Sequence, residues 1–104
     1  NDISFYRSDF KECINYSSRI LPLSQKIGNK NLEGGVLGNL GYYYHLRGES
    51  RRGLEYLEKS AEILKELGEK QRESTALTNI GLIYYNLGEI KLTLDFFQRA
   101  LALR

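Results

Sequence analysis

Few residues of this chain have the chemistry for a reactive centre, and their spacing limits what each can do. The single histidine, His45, stands between Tyr44 and Leu46 with no His-x3-His partner to share a metal. The single cysteine, Cys13, has no base near it in sequence, and one thiol makes neither a disulfide nor a zinc site. Gly34, Gly35, Gly38 and Gly41 lack the preceding strand of a phosphate-binding loop and fall at helical spacings. Arg47, Arg51 and Arg52 cluster, but Glu49 and Glu55 lie among them, which reads as solvated surface. These patterns predict no enzyme, no catalytic residue, no metal and no cofactor. Non-covalent recognition is the chemistry left.

The elements that position these residues come from an internal repeat. Shifting the chain by 40 residues lays Leu37, Asn39, Gly41, Tyr44, Gly48, Glu49 and Leu54 on Leu77, Asn79, Gly81, Tyr84, Gly88, Glu89 and Leu94. The same shift takes Tyr16, Gly28, Lys30 and Glu33 onto Tyr56, Gly68, Lys70 and Glu73. Each copy reads as two helices. Val36, Leu37, Leu40, Tyr43 and Tyr44 recur at three- and four-residue spacings, and Ala76, Leu77, Ile80, Ile83 and Tyr84 repeat them. Gly48 and Gly88 end the first helices, and Gly28 and Gly68 end the second ones. Glu49 and Glu89 place negative charge where the second helices begin. Leu54, Leu57, Ala61 and Leu64, then Leu94, Phe97 and Leu101, give those second helices their apolar faces. No segment alternates with the period of a strand, so the fold class is all-α with five main helices.

The division that follows is a partial copy over 1–34, a second over 35–74 and a third, truncated, over 75–104. Ser8 and Asp9 align with Gly48 and Glu49, so Asn1 to Arg7 reads as the tail of an incomplete first helix. Pro22 predicts a bend or break near Leu21, or two short helices around it, because it removes a donor and crowds the preceding turn. Along the outer face, Glu55–Lys59 and Glu66–Lys70 have the spacing of supporting ion pairs.

Composition agrees with a small helical unit. The chain has 104 residues, 41% of them apolar and 27% charged, with a net charge of +2. That charge is too small to predict nucleic acid or an anionic membrane as partner, and no apolar run approaches the roughly 20 residues of a spanning helix. A single thiol points to a reducing, cytoplasmic setting. The absence of methionine and the start at Asn1 read as a chain that was processed or as a piece of something longer.

The pattern Leu37-x2-Leu40-Gly41-x2-Tyr44 with Gly53-x3-Leu57, and its twin Leu77-x2-Ile80-Gly81-x2-Tyr84 with Thr93-x3-Phe97 and Ala100, resembles the tetratricopeptide repeat. Leucine stands for the family's tryptophan, Cys13, Gly53 and Thr93 occupy the small position, and the period resembles that of a 40-residue subgroup. The resemblance implies a right-handed superhelical solenoid of antiparallel hairpins, about two and a half repeats long. It also implies a non-catalytic scaffold whose first helices line a concave groove for a peptide or partner protein. With the core positions removed, the groove stripe is Gly35, Gly38, Asn39, Tyr42, His45 and Leu46, then Thr75, Thr78, Asn79, Leu82, Tyr85 and Asn86. Asn39 and Asn79 fall where such arrays often carry an asparagine, whose amide can bond a main chain of any sequence. The competing reading has these asparagines bonded across neighbouring helices. Gly35 and Gly38 either pack tightly or admit a ligand backbone. No Lys or Arg occupies the stripe, so a C-terminal carboxylate is not the expected ligand. Leu21-Pro22-Leu23 resembles arrays fused to bacterial peptidase or ATPase-regulator domains, which makes a sensor array of a larger signalling protein the alternative. Apolar surface at both ends predicts self-association.

Overall fold

The computed structural model describes the backbone of residues 2–104 and the side chains from Phe10 onward. Five helices follow one another: α1 (Asp2–Lys26), α2 (Lys30–Leu46), α3 (Ser50–Glu66), α4 (Lys70–Asn86) and α5 (Ile90–Ala102). There is no strand among the described residues. Each helix packs on the next, and α2 also touches α4 across the intervening hairpin.

The joints are all built alike. Gly28, Gly48, Gly68 and Gly88 take φ of 71°, 96°, 75° and 81°, the left-handed region that a Cβ disfavours, and no other described residue does so. At the α2–α3 joint the Glu49 amide reaches back to the Tyr44 carbonyl at 2.8 Å, which closes the last turn and reverses the chain. Asn29 caps α2 by accepting from the Leu32 amide at 3.0 Å. Glu49 and Glu89 are the N-caps of α3 and α5, without side-chain capping bonds.

Two buried clusters hold the stack. Ile14, Val36, Leu40 and Tyr44 join α1 to α2, with Tyr56 of α3 against them. Leu54, Leu57, Ala61, Ala76, Leu77, Ile80, Ile83 and Ala100 join α3, α4 and α5. At about 25 cal/mol per Å² of apolar surface removed from water, such clusters are the main stabilising term. The 40-residue offset is visible in the packing: Tyr44 stacks on Tyr56 at 5.5 Å, and Tyr84 on Phe96 at 5.6 Å.

Three expectations need correction. The first helix begins at Asp2 and passes Ser8 and Asp9 without a turn. Ser8 stands where the later joints have glycine, so the chain lacks the residue that reverses it elsewhere. Nor does α1 break at Pro22. Pro22 and Ser18 are both exposed, so the carbonyl deprived of its donor lies where water can reach it. Finally, neither expected outer ion pair is closed; the described pairs are Lys30–Glu33, Arg47–Glu49, Arg52–Glu49 and Arg99–Asp95. Glu66 ends one helix and Lys70 begins another, so helical spacing does not apply between them.

The outermost faces are apolar, as expected. Tyr16, Ile20 and Leu23 are exposed along α1, with Ile27 just past its end, and Ile90, Leu94, Phe97 and Leu101 along α5. Their counterparts on α3, such as Leu54 and Leu57, are buried because α2 and α4 flank that helix.

Candidate functional site: a groove between two first helices

Helices α2 and α4 stand side by side with α3 behind them, and between them opens a cavity of about 490 Å³. Its floor is Leu57, Ser60 and Leu64 of α3 and Ala76 of α4. One wall is Asn39 and Tyr42 of α2, and the other is Arg72, Thr75 and Asn79 of α4. Helical geometry explains the second wall: residues 72, 75 and 79 are three and four apart and share one face.

Gly34, Gly35 and Gly38 line the cavity, and each has a distinct tenant. A Cβ on Gly34 would lie 3.1 Å from Ile63 and 3.2 Å from Leu64. On Gly38 it would lie 3.0 Å from the Ser60 hydroxyl, which donates to the Gly34 carbonyl at 2.7 Å. On Gly35 it would lie 2.6 Å from the Arg72 guanidinium. Gly34 and Gly38 therefore serve helix packing, whereas Gly35 admits a charged side chain into the groove. Arg72 is held there by Asn31, whose side-chain oxygen accepts from Nη1 and whose carbonyl accepts from Nη2 at 3.4 Å.

The predicted site residues divide into three groups. Asn39, Tyr42, Thr75 and Asn79 meet around the cavity. Among the described residues no hydrogen bond engages the amide of Asn39 or Asn79, while the Thr75 hydroxyl donates to the Gln71 carbonyl of its own helix. His45 and Asn86 form a second cluster: Asn86 Nδ2 lies 3.3 Å from Nε2, and Nδ1 lies 3.1 Å from the Ser50 hydroxyl. A neutral ring protonated on Nδ1 satisfies both contacts. Burial pushes the His45 pKa below its ordinary value, which favours that neutral form. This histidine links α2 to α3 and α4 with both nitrogens engaged, and it stands outside the cavity lining.

Thr78, Leu82 and Tyr85 stand outside the cavity. The Thr78 hydroxyl donates to the Ser74 carbonyl at 2.9 Å, and Leu82 and Tyr85 are exposed on α4. Arg72 is the residue sequence reasoning missed. The signal was available, since one further turn N-terminal of Thr75 brings the stripe to it.

No group of three His, Cys, Asp or Glu among the described residues could hold a metal ion, and none of their helices is long and apolar enough to cross a membrane. A family model described as tetratricopeptide repeat matches residues 32–104. No curated protein matches the chain.

Proposed function

The chain belongs to the tetratricopeptide repeat family, and on that premise we propose that the α2–α4 groove binds an extended segment of a partner protein. Repeats of this family generally mediate protein–protein interaction on a non-catalytic scaffold. The carrying observation is that Asn39 and Asn79 flank one cavity with amides engaged by no other described residue. An amide offers two N–H donors and one carbonyl acceptor, which matches the alternating carbonyl and amide groups of an extended main chain. Tyr42 adds an exposed ring against which a partner side chain can lie.

Selection of a displayed random-peptide library on the 104-residue protein tests this. Substituting Asn39→Ala together with Asn79→Ala removes the ladder; selected peptides are expected to bind roughly tenfold weaker or worse, at about 1 kcal/mol per hydrogen bond. The thermal midpoint should barely move, because neither amide supports the fold. Binding retained in the double variant, or binding and stability lost in parallel, rejects the reading.

A further inference from the structure

We infer that Arg72 makes the groove selective for partner segments carrying an Asp or Glu side chain opposite the first turn of α4. This rests on the groove being the peptide site.

Among the described residues Arg72 is the only charged one lining the cavity, and none that lines it is acidic. None of the ion pairs between described residues uses Arg72. Elsewhere Glu49 takes both Arg47 and Arg52, and Asp95 takes Arg99. Arg72 thus places a positive charge in a half-enclosed groove with no described carboxylate at ion-pair distance, where a charge-assisted bond is worth more than in open water.

Its posture supports the same conclusion. Asn31 engages two of the five guanidinium N–H donors, leaving the rest for a ligand. Gly35 supplies the space the guanidinium occupies, and glycine inside a helix costs about 1 kcal/mol relative to alanine. A methyl group at residue 35 would lie 2.6 Å from Nη2 and oblige the end of the Arg72 side chain to shift. One guanidinium matches one carboxylate in bidentate geometry, whereas a phosphate dianion calls for a second cation, and the lining has none. Since Arg72 shares a helix face with Thr75 and Asn79, an extended segment bonded to the asparagines runs past it.

The probe is a set of peptides taken from the library selection, resynthesised with amidated C-termini so that only side-chain carboxylates remain. We expect an Asp or Glu at one position relative to the groove-bound segment. Arg72→Gln, which keeps a donor for Asn31, should weaken those peptides about tenfold and leave their Asp→Asn or Glu→Gln analogues unchanged. Arg72→Glu should select Lys or Arg at that position instead. Acidic preference surviving in Arg72→Gln overturns the inference, as does an acidic preference that disappears on C-terminal amidation. Peptides that depend on Asn39 and Asn79 but show no acidic position overturn it while leaving the groove standing. Failure to find any peptide dependent on the asparagines removes both.

Discussion

The hairpins α2–α3 and α4–α5 occupy equivalent places 40 residues apart, yet they close the same contacts with different atoms. Where α2 crosses α3, backbone meets backbone: a Cβ on Gly41 would lie 2.7 Å from the Gly53 carbonyl oxygen and 2.6 Å from Leu57 Cγ. Where α4 crosses α5, Gly53 is replaced by Thr93, and the atoms nearest a Cβ on Gly81 belong to the Phe97 ring, at 2.7 Å. A second contact changes hands. In the first hairpin Ser60 of α3 donates to the Gly34 carbonyl of α2 at 2.7 Å. In the second, Ser74 of α4 donates to the Ala100 carbonyl of α5 at 3.0 Å. The hydroxyl has moved to the opposite helix, with a small residue facing it each time. What the repeat preserves is a short approach and a cross-helix hydrogen bond; which helix supplies the group is free to vary.

The largest test of this difference compares the two crossing glycines. Gly41→Ala drives a methyl into backbone that cannot turn aside, and a loss of about 1–3 kcal/mol is expected in urea unfolding. Gly81→Ala meets a ring that is 37% exposed and able to rotate outward. There the better helix propensity, about 1 kcal/mol, should cancel much of the collision. Equal losses from both variants would show that the two crossings are mechanically alike.

A smaller effect is expected from exchanging the hydroxyl. Ser60→Ala should cost about 1 kcal/mol by removing a buried hydrogen bond. Adding Gly34→Ser to it rebuilds the second hairpin's arrangement in the first, and the double variant should recover part of the loss. The flexible ends of Ile63 and Leu64 must shift by tenths of an ångström to admit it. No recovery would mean that the serine's helix matters after all.

The smallest difference is one of pH. His45 in the first hairpin corresponds to Tyr85 in the second, and only the histidine titrates near neutrality. Burial lowers the His45 pKa in the fold, so the unfolded chain takes up its proton first as pH falls. The stabilisation is complete above the ordinary value of 6.5 and shrinks as pH drops below it toward the folded value. His45→Tyr, which copies the second hairpin, should flatten the dependence of the thermal midpoint on pH across that window. An unchanged slope would assign it to other groups.

The fold was largely legible because glycine ends helices for a local reason and because the 40-residue identity let each copy check the other. The same reliance on the copies misplaced two things. Aligning Ser8 with Gly48 suggested a joint that serine does not form. Counting the copies from Gly35 and Thr75 assigned the first turn of α4 to the preceding copy, and Arg72 went with it. Residues of the groove wall that share a helix face with Asn79 could be found by spacing alone. The His45–Asn86 bond could not, since it joins side chains 41 residues apart through the stacking of α2 beside α4. Pro22 shows that a local rule bends to exposure: a proline on the wet side of a helix leaves a carbonyl that water can satisfy.

The four left-handed glycines are 20 residues apart, and that spacing gives the array a parity. Odd-numbered helices form one layer and even-numbered helices, which carry the groove, form the other. A duplication of 20 residues would preserve every joint but exchange the layers for everything downstream, turning Asn79 to the wrong side. One of 40 keeps each helix in its layer. The smallest change of length that leaves the groove face continuous is therefore two helices, even though the smallest that leaves the backbone comfortable is one.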